Sequence, residues 1–172
     1  NAEGDNNIYL TAFNNGGFTS GNNGDMNVSG RTYAAWNWNG GGSTVTNNDG
    51  STETQVRANA TAGFSIVTYS GNDTAGATLG HGLGVAPEIV IVKWRNGADN
   101  WLVYSEHAGS GRTLWLDSNS VTPTGSAYYG YFWNNTAPSS SVITLGSNGG
   151  INGSSRNYVA YCFSSVAGYS KF

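Results

Sequence analysis

Few side chains in this sequence could do chemistry, and their spacing is the first thing to weigh. Ser105, Glu106 and His107 are consecutive. A nucleophile, a carboxylate and an imidazole form a hydrolytic triad only when they converge, and neighbours on an extended chain point to alternating sides. The other histidine, His81, lies between glycines at the entry to an apolar run and reads as a turn residue bonding local backbone. Ten carboxylates are present, many beside Gly, Asn or Ser as turn residues are. A glycosidase needs two of them ~5–9.5 Å apart, and no local motif pairs them. Asp25, Asp49 and Asp73 are the candidates for a loop-type calcium site, without the regular spacing of an EF-hand. Gly82-Leu83-Gly84 lacks the continuation of a dinucleotide or phosphate loop. The lone Cys162 sits in an apolar strand, where a small buried hydrophobe is the expected role. These residues point away from an enzyme: no catalytic residue, no metal and no cofactor is assigned.

Binding chemistry is a stronger prospect. The chain holds six tryptophans, and exposed aromatics can stack on sugars. Trp36 and Trp38 share one face if their segment is a strand. Five Asn-x-Ser/Thr sequons, at Asn27, Asn59, Asn72, Asn134 and Asn152, are acceptors for glycosylation if the protein is exported past that machinery.

These residues are carried by a pattern the chain contains twice. Shifting by 125 positions aligns residues 18–38 with residues 143–163 without a gap, bringing Asn27 onto Asn152, Arg31 onto Arg156, Tyr33 onto Tyr158 and Ala35 onto Ala160. Each copy has a short β run, a Gly/Asn loop, an Arg and an apolar strand. Trp36 and Trp38 meet Tyr161 and Phe163, so aromatic size is kept while the polar handles change. That favours packing over ligand stacking. Arg31 and Arg156 should each pair with a carbonyl or carboxylate at a sheet edge. The strands 31–38 and 156–163 should then occupy equivalent places, with Tyr33 and Tyr158 in like environments.

Between the copies, strand signals recur at short spacing. Residues 53–57, Phe64–Tyr69, Glu88–Trp94, Trp101–Tyr104, Thr113–Asp117, Tyr128–Trp133, Val142–Leu145, Arg156–Phe163 and a short 166–172 piece read as strands. Asn96-Gly97 marks a hairpin turn. No window has a helical period. The expected fold is all-β, an antiparallel β-sandwich of jelly-roll type with an N-terminal β arm. Composition breaks at Asn39–Ser43, which divides the chain into an arm and linker, 1–46, and a sandwich domain, 47–172. The chain begins at Asn1 inside a repeat, as if a leader were removed or a longer protein cut. Ile89, Val90, Ile91 and Val92 should be almost fully buried, ringed by Phe64, Ile66, Leu102, Leu114, Leu116, Val159 and Tyr161.

Charge is sparse, 10% of residues with net −3. Nucleic acid and anionic membranes select clustered Lys and Arg, so neither is an expected partner. No apolar run approaches the ~18 residues of a membrane span.

The segments Ala62–Asn72, Gly80–Pro87, Asn134–Pro138, Tyr158–Phe163 and Val166–Phe172, in that order, resemble an uncharacterised domain, often in tandem, of tail-fibre-like structural proteins of tailed phages and of environmental sequences. The resemblance spans roughly 30–172. It implies a structural module of a fibre or virion surface, extracellular or on a virion, and brings no catalytic residues. Joined to the repeat, it leads to an assembly expectation. Residues 1–38 should add as strands to a neighbouring copy, through Ile8, Tyr9, Leu10, Phe13, Tyr33, Trp36 and Trp38, and propagate head to tail as a homopolymeric helical filament. A carbohydrate-binding adhesion module, with surface glycans as partner, is the second expectation.

Overall fold

The computed structural model describes residues 9–22, 24–118 and 130–172. Ile8, and Tyr128 and Tyr129 of one expected strand, lie outside them. Contacts divide the chain into two compact units that meet in sequence between Trp38 and Asn39.

The first unit opens with a hairpin, β1 (Leu10–Asn14) and β2 (Gly17–Ser20), paired antiparallel around Asn15-Gly16. The Asn-Gly dipeptide between Phe13 and Phe18 was the overlooked signal, because it favours a two-residue reversal. Residues 31–38, expected as a strand, have no regular structure.

The second unit holds β3 (Val45–Asn47), β4 (Thr54–Asn59), β5 (Phe64–Ser70), β6 (Thr78–Gly80), β7 (Ile89–Trp94), β8 (Leu102–Ser105), β9 (Leu114–Trp115), β10 (Val142–Thr144) and β11 (Asn157–Phe163). Seven strands form one sheet in the order β3-β4-β5-β11-β7-β8-β9, every neighbour antiparallel; β10 and β6 form a second, two-stranded sheet. The protein is an all-β, antiparallel sandwich with unequal layers. The only helical pieces among the described residues are a 3-10 turn, Ala60–Ala62, and a single turn α1, Gly149–Asn152. Gly63 links the 3-10 turn to β5 at φ 65°, and a Cβ there would lie 2.2 Å from the Ser164 carbonyl, so only glycine fits.

Period-two alternation builds the core. Val56, Val67, Ala160, Val92, Leu102 and Trp115 stand in register across six strands on the inner face. Leu79 and Ile143 of the small sheet, with Leu145, Ile151, Phe132 and Trp133, cover that face. Burying these apolar side chains is the main stabilising term. Phe132 and Trp133 do this from a chain of turns, not from the expected strand at 128–133; the indole Nε1 donates to Thr113 Oγ1, which anchors the turns.

The other face carries a second row: Ile66, Tyr161, Ile91, Val103 and Leu114. This corrects the expected core. Val90, Val92, Phe64, Leu102 and Val159 are buried, but Ile66, Ile89, Ile91 and Tyr161 are half-buried, and Leu114 and Leu116 are exposed. The small sheet caps one face only; on the other, Phe64 is buried against Phe163 and Val159 beside Lys93, while Ile66, Ile91 and Tyr161 lack such cover. The 166–172 piece is a turn closed by a Val166–Ser170 bridge.

Candidate assembly interface

The repeat is visible atom by atom in its loop. In the first copy, Val28 N–H donates to the Tyr33 hydroxyl at 3.0 Å, and Arg31 N–H to the Val28 carbonyl at 3.2 Å. In the second, Gly153 N–H donates to the Tyr158 hydroxyl at 2.8 Å, and Arg156 N–H to the Gly153 carbonyl at 3.3 Å. Each of these groups aligns under the same shift. Gly30 and Ser155, also aligned, both have positive φ, 81° and 61°. β2 aligns with β10 as well.

The copies part after the arginine. Arg156 lies over the Trp94 ring, 4.1 Å from its centroid, and Nη1 donates to the Gly149 carbonyl. The chain then enters β11, the middle strand of the seven, with β5 on one side and β7 on the other. The arginine thus heads a central strand and not the expected edge. Tyr158 is fully buried and stacks on Tyr69; burial raises both phenol pKa values. Tyr33 is 49% exposed, so the expectation of like environments is not met. The physical reason is the ladder: no strand pairs with 31–38 among the described residues, and a strand exists only with a neighbour.

The aromatic side chains of the first unit are correspondingly open. Phe13 is 82% exposed and Trp36 76%, and Tyr9, Leu10 and Trp38 are exposed too. So many large apolar side chains exposed on one small unit is unusual and makes it the candidate surface.

The other candidates fall as follows. His81 is buried, Nδ1 accepting from Leu83 N–H and Nε2 facing the Ser139 carbonyl, which fixes the neutral tautomer with its proton on Nε2. Burial lowers its pKa. Ser105, Glu106 and His107 lie on a tight turn, with Ala108 N–H donating to the Ser105 carbonyl. Cys162 is buried and its thiol is pushed up to about 12 by burial, so it packs and does not react. Among the described residues no three His, Cys, Asp or Glu cluster as a metal site would require. A cleft of about 450 Å³ is lined by Glu88, Tyr104, Glu106, Pro87 and Pro138, but the Glu88 carboxylate is taken by Ser165 N–H and Oγ–H.

The sequons divide. Asn27 and Asn72 are exposed, Asn59 and Asn134 half-buried. Asn152 is buried, its amide donating to the Thr74 and Gly146 carbonyls and accepting from Asn72 N–H. A glycan on its amide would break these bonds, so a modified Asn152 does not fit this fold.

Fold and site together define an all-β protein with an exposed aromatic arm. A family model described as a domain of unknown function (DUF7483) matches residues 1–172, and the chain belongs to that family. No curated protein and no solved structure matches it.

Proposed function

We propose that this protein is a non-catalytic structural subunit that assembles head to tail, the 9–38 arm of one copy adding to a neighbouring copy. One observation carries the reading: residues 31–38 repeat the lead-in to a central strand and then expose Tyr33, Trp36 and Trp38. Burying one such ring fully removes ~150–250 Å² from water, about 4–6 kcal/mol gross at ~25 cal/mol/Å². Association costs roughly 4–15 kcal/mol. Two rings leave the contact near balance, so main-chain pairing decides it and assembly depends on concentration. A contact of this head-to-tail kind propagates unless its rotation closes a ring. The fibre-like resemblance supports an extracellular fibre or virion surface as the setting. The test is a chain lacking residues 1–38, which keeps every member of the core cluster. It should stay monomeric in sedimentation where the full chain associates; equal association by both chains rejects the arm as the assembly element.

A second reading, a carbohydrate-binding module, is supported by a polar trough of about 230 Å³ lined by Glu53, Gln55, Thr68, Ser70, Arg95 and Asn157. Trp101 and Tyr161 lie nearly parallel with ring centroids 6.4 Å apart. Glycan-array binding lost in Trp101→Ala would bring this reading forward; an array without signal removes it.

A further inference from the structure

We infer that the edge strand β9 of a second copy is the surface that receives the arm, with Trp36 seated beside Leu114 and the two strands antiparallel. The inference rests on the assembly reading above and adds its missing half.

The large sheet has two edges, and they differ. At β3 one apolar residue is exposed, Val45 at 58%, and it belongs to the inner-face row through Val56; the positions after it are polar, Thr46 Oγ1 accepting from Gln55 and Asn47 closing a turn with Asp49. The apolar outer-face row does not reach this edge, because Ile66 pairs with Arg57 on β4. At β9 the flank is apolar, with Leu114 44% exposed and Leu116 65%. Leu114 lies in the two-residue strand and Leu116 in the turn after it, and among the described residues no further strand pairs with β9, the kind of edge another chain can extend.

Parity and charge then set the lay. Leu114 ends the outer-face row of Ile66, Tyr161, Ile91 and Val103. Under the repeat, Trp36 is the counterpart of Tyr161, a member of that same row. Trp36 and Trp38 share a face as a strand, and with Trp36 opposite Leu114 in an antiparallel lay Ala34 falls opposite Leu116, which prolongs the row across the contact. Exposed Arg112 and Asp117 flank β9, and exposed Arg31 starts the donor segment. Laid antiparallel, Arg31 approaches the Asp117 end while Trp38 reaches Arg112, the cation–ring pairing this protein already uses between Arg156 and Trp94. Laid parallel, Arg31 meets Arg112 and is repelled. The segment cannot instead replace β11 in a neighbour, because Asn37 would fall where Cys162 is fully buried.

The experiment uses full chains: the unsubstituted protein, an arm variant with Trp36→Ser and Trp38→Ser, and an edge variant with Leu114→Lys and Leu116→Lys. Sedimentation velocity over a concentration series reads association, and circular dichroism checks the sheet. The unsubstituted chain should form long species and each variant should remain monomeric. Their equimolar mixture should form a dimer and stop there, since one partner keeps its arm and the other its edge. An edge variant that associates within twofold of the unsubstituted chain overturns the β9 assignment and leaves the assembly reading standing. Monomeric behaviour of the unsubstituted chain at every concentration overturns both. If the lysines unfold the edge variant, Trp36→Cys in one chain and Leu114→Cys in another decide the matter. Oxidation should join them between copies, Cys162 being buried, and no inter-chain product rejects the contact.

Discussion

Residues 18–38 and 143–163 share one sequence pattern and come to different ends. Both fold the loop alike, down to the amide that donates to the tyrosine hydroxyl and the left-handed residue before the arginine. Loop geometry is local: it needs only residues within five positions of one another. The strand that follows is not local. β11 is a strand because β5 and β7 complete its ladder on both sides, seven residue pairs on one and six on the other. The equivalent 31–38 stretch has the aromatic residues of a strand and no ladder. Sequence alone therefore encodes a strand, but its formation waits on a partner.

The largest effect that would break this comparison lies at the paired tyrosines. Tyr158→Ala should destabilise by about 3–5 kcal/mol, as for other large buried rings, because it empties a site against Tyr69, strands Gly153 N–H and leaves the Gly149 carbonyl to Arg156 alone. Tyr33→Ala should change monomer stability by no more than about 0.5 kcal/mol. Urea unfolding of both at low concentration reads the difference. Equal losses would place Tyr33 in a core of its own.

The paired asparagines come next. Asn152→Ala removes the partner of the part-buried Asn72 N–H and of the Thr74 and Gly146 carbonyls, each a penalty of up to about 1–3 kcal/mol that relaxation and water reduce. A net loss of roughly 2–3 kcal/mol is expected, against almost none for exposed Asn27→Ala. If the Asn152 variant melts with the unsubstituted protein, water serves those groups as well as the amide does.

What the sequence made legible follows the same division. Period-two runs gave β5, β7, β8 and β11 close to their bounds, and the all-β class with them. The three-residue strands β3 and β6 were missed because so short a piece has no period to detect. Tyr128–Trp133 misled because aromatic density signals burial, and Phe132 and Trp133 are buried, but from turns. Leu114 and Leu116 were placed in the core because apolarity does not say which face a second layer will cover. In the arm, Phe13, Tyr33, Trp36 and Trp38 were legible as an anomaly: apolar residues beside a Gly/Asn loop with too little chain to bury them.

Acid should separate the two units more gently. His81 is held neutral inside the sheet unit, its Nδ1 accepting from Leu83, with Asp49 the charged group acting on it. Its folded pKa is lowered below the ordinary imidazole value of about 6.5. The folded state thus binds the proton less readily than the unfolded chain. Stability is complete above the ordinary value and falls as pH drops through it toward the lowered one. One proton is involved, so the slope cannot exceed about 1.4 kcal/mol per pH unit. The described part of the arm, having no histidine, should not share the transition. Measured in His81→Gln, whose amide can keep the Leu83 contact, the slope in this window should vanish; an unchanged slope assigns it to another group.

The smallest effect tests the shared loop itself. Gly30 and Ser155 occupy the same left-handed position, and one copy has the residue suited to it. A side chain in that region costs about 1–2 kcal/mol for most residues. Replacing it by glycine also frees the unfolded chain, which takes back about 0.4–1 kcal/mol. Ser155→Gly should therefore raise stability slightly, by no more than about 1 kcal/mol, and leave the Tyr158 and Arg156 contacts unaltered. The converse change, Gly30→Ser, should loosen the Val28–Tyr33 hydrogen bond without touching the melting of the sheet unit. Amide exchange at Val28 and Gly153 would report both. If Ser155→Gly instead destabilises, the serine holds the loop through its side chain, and the two copies share a shape without sharing its cause.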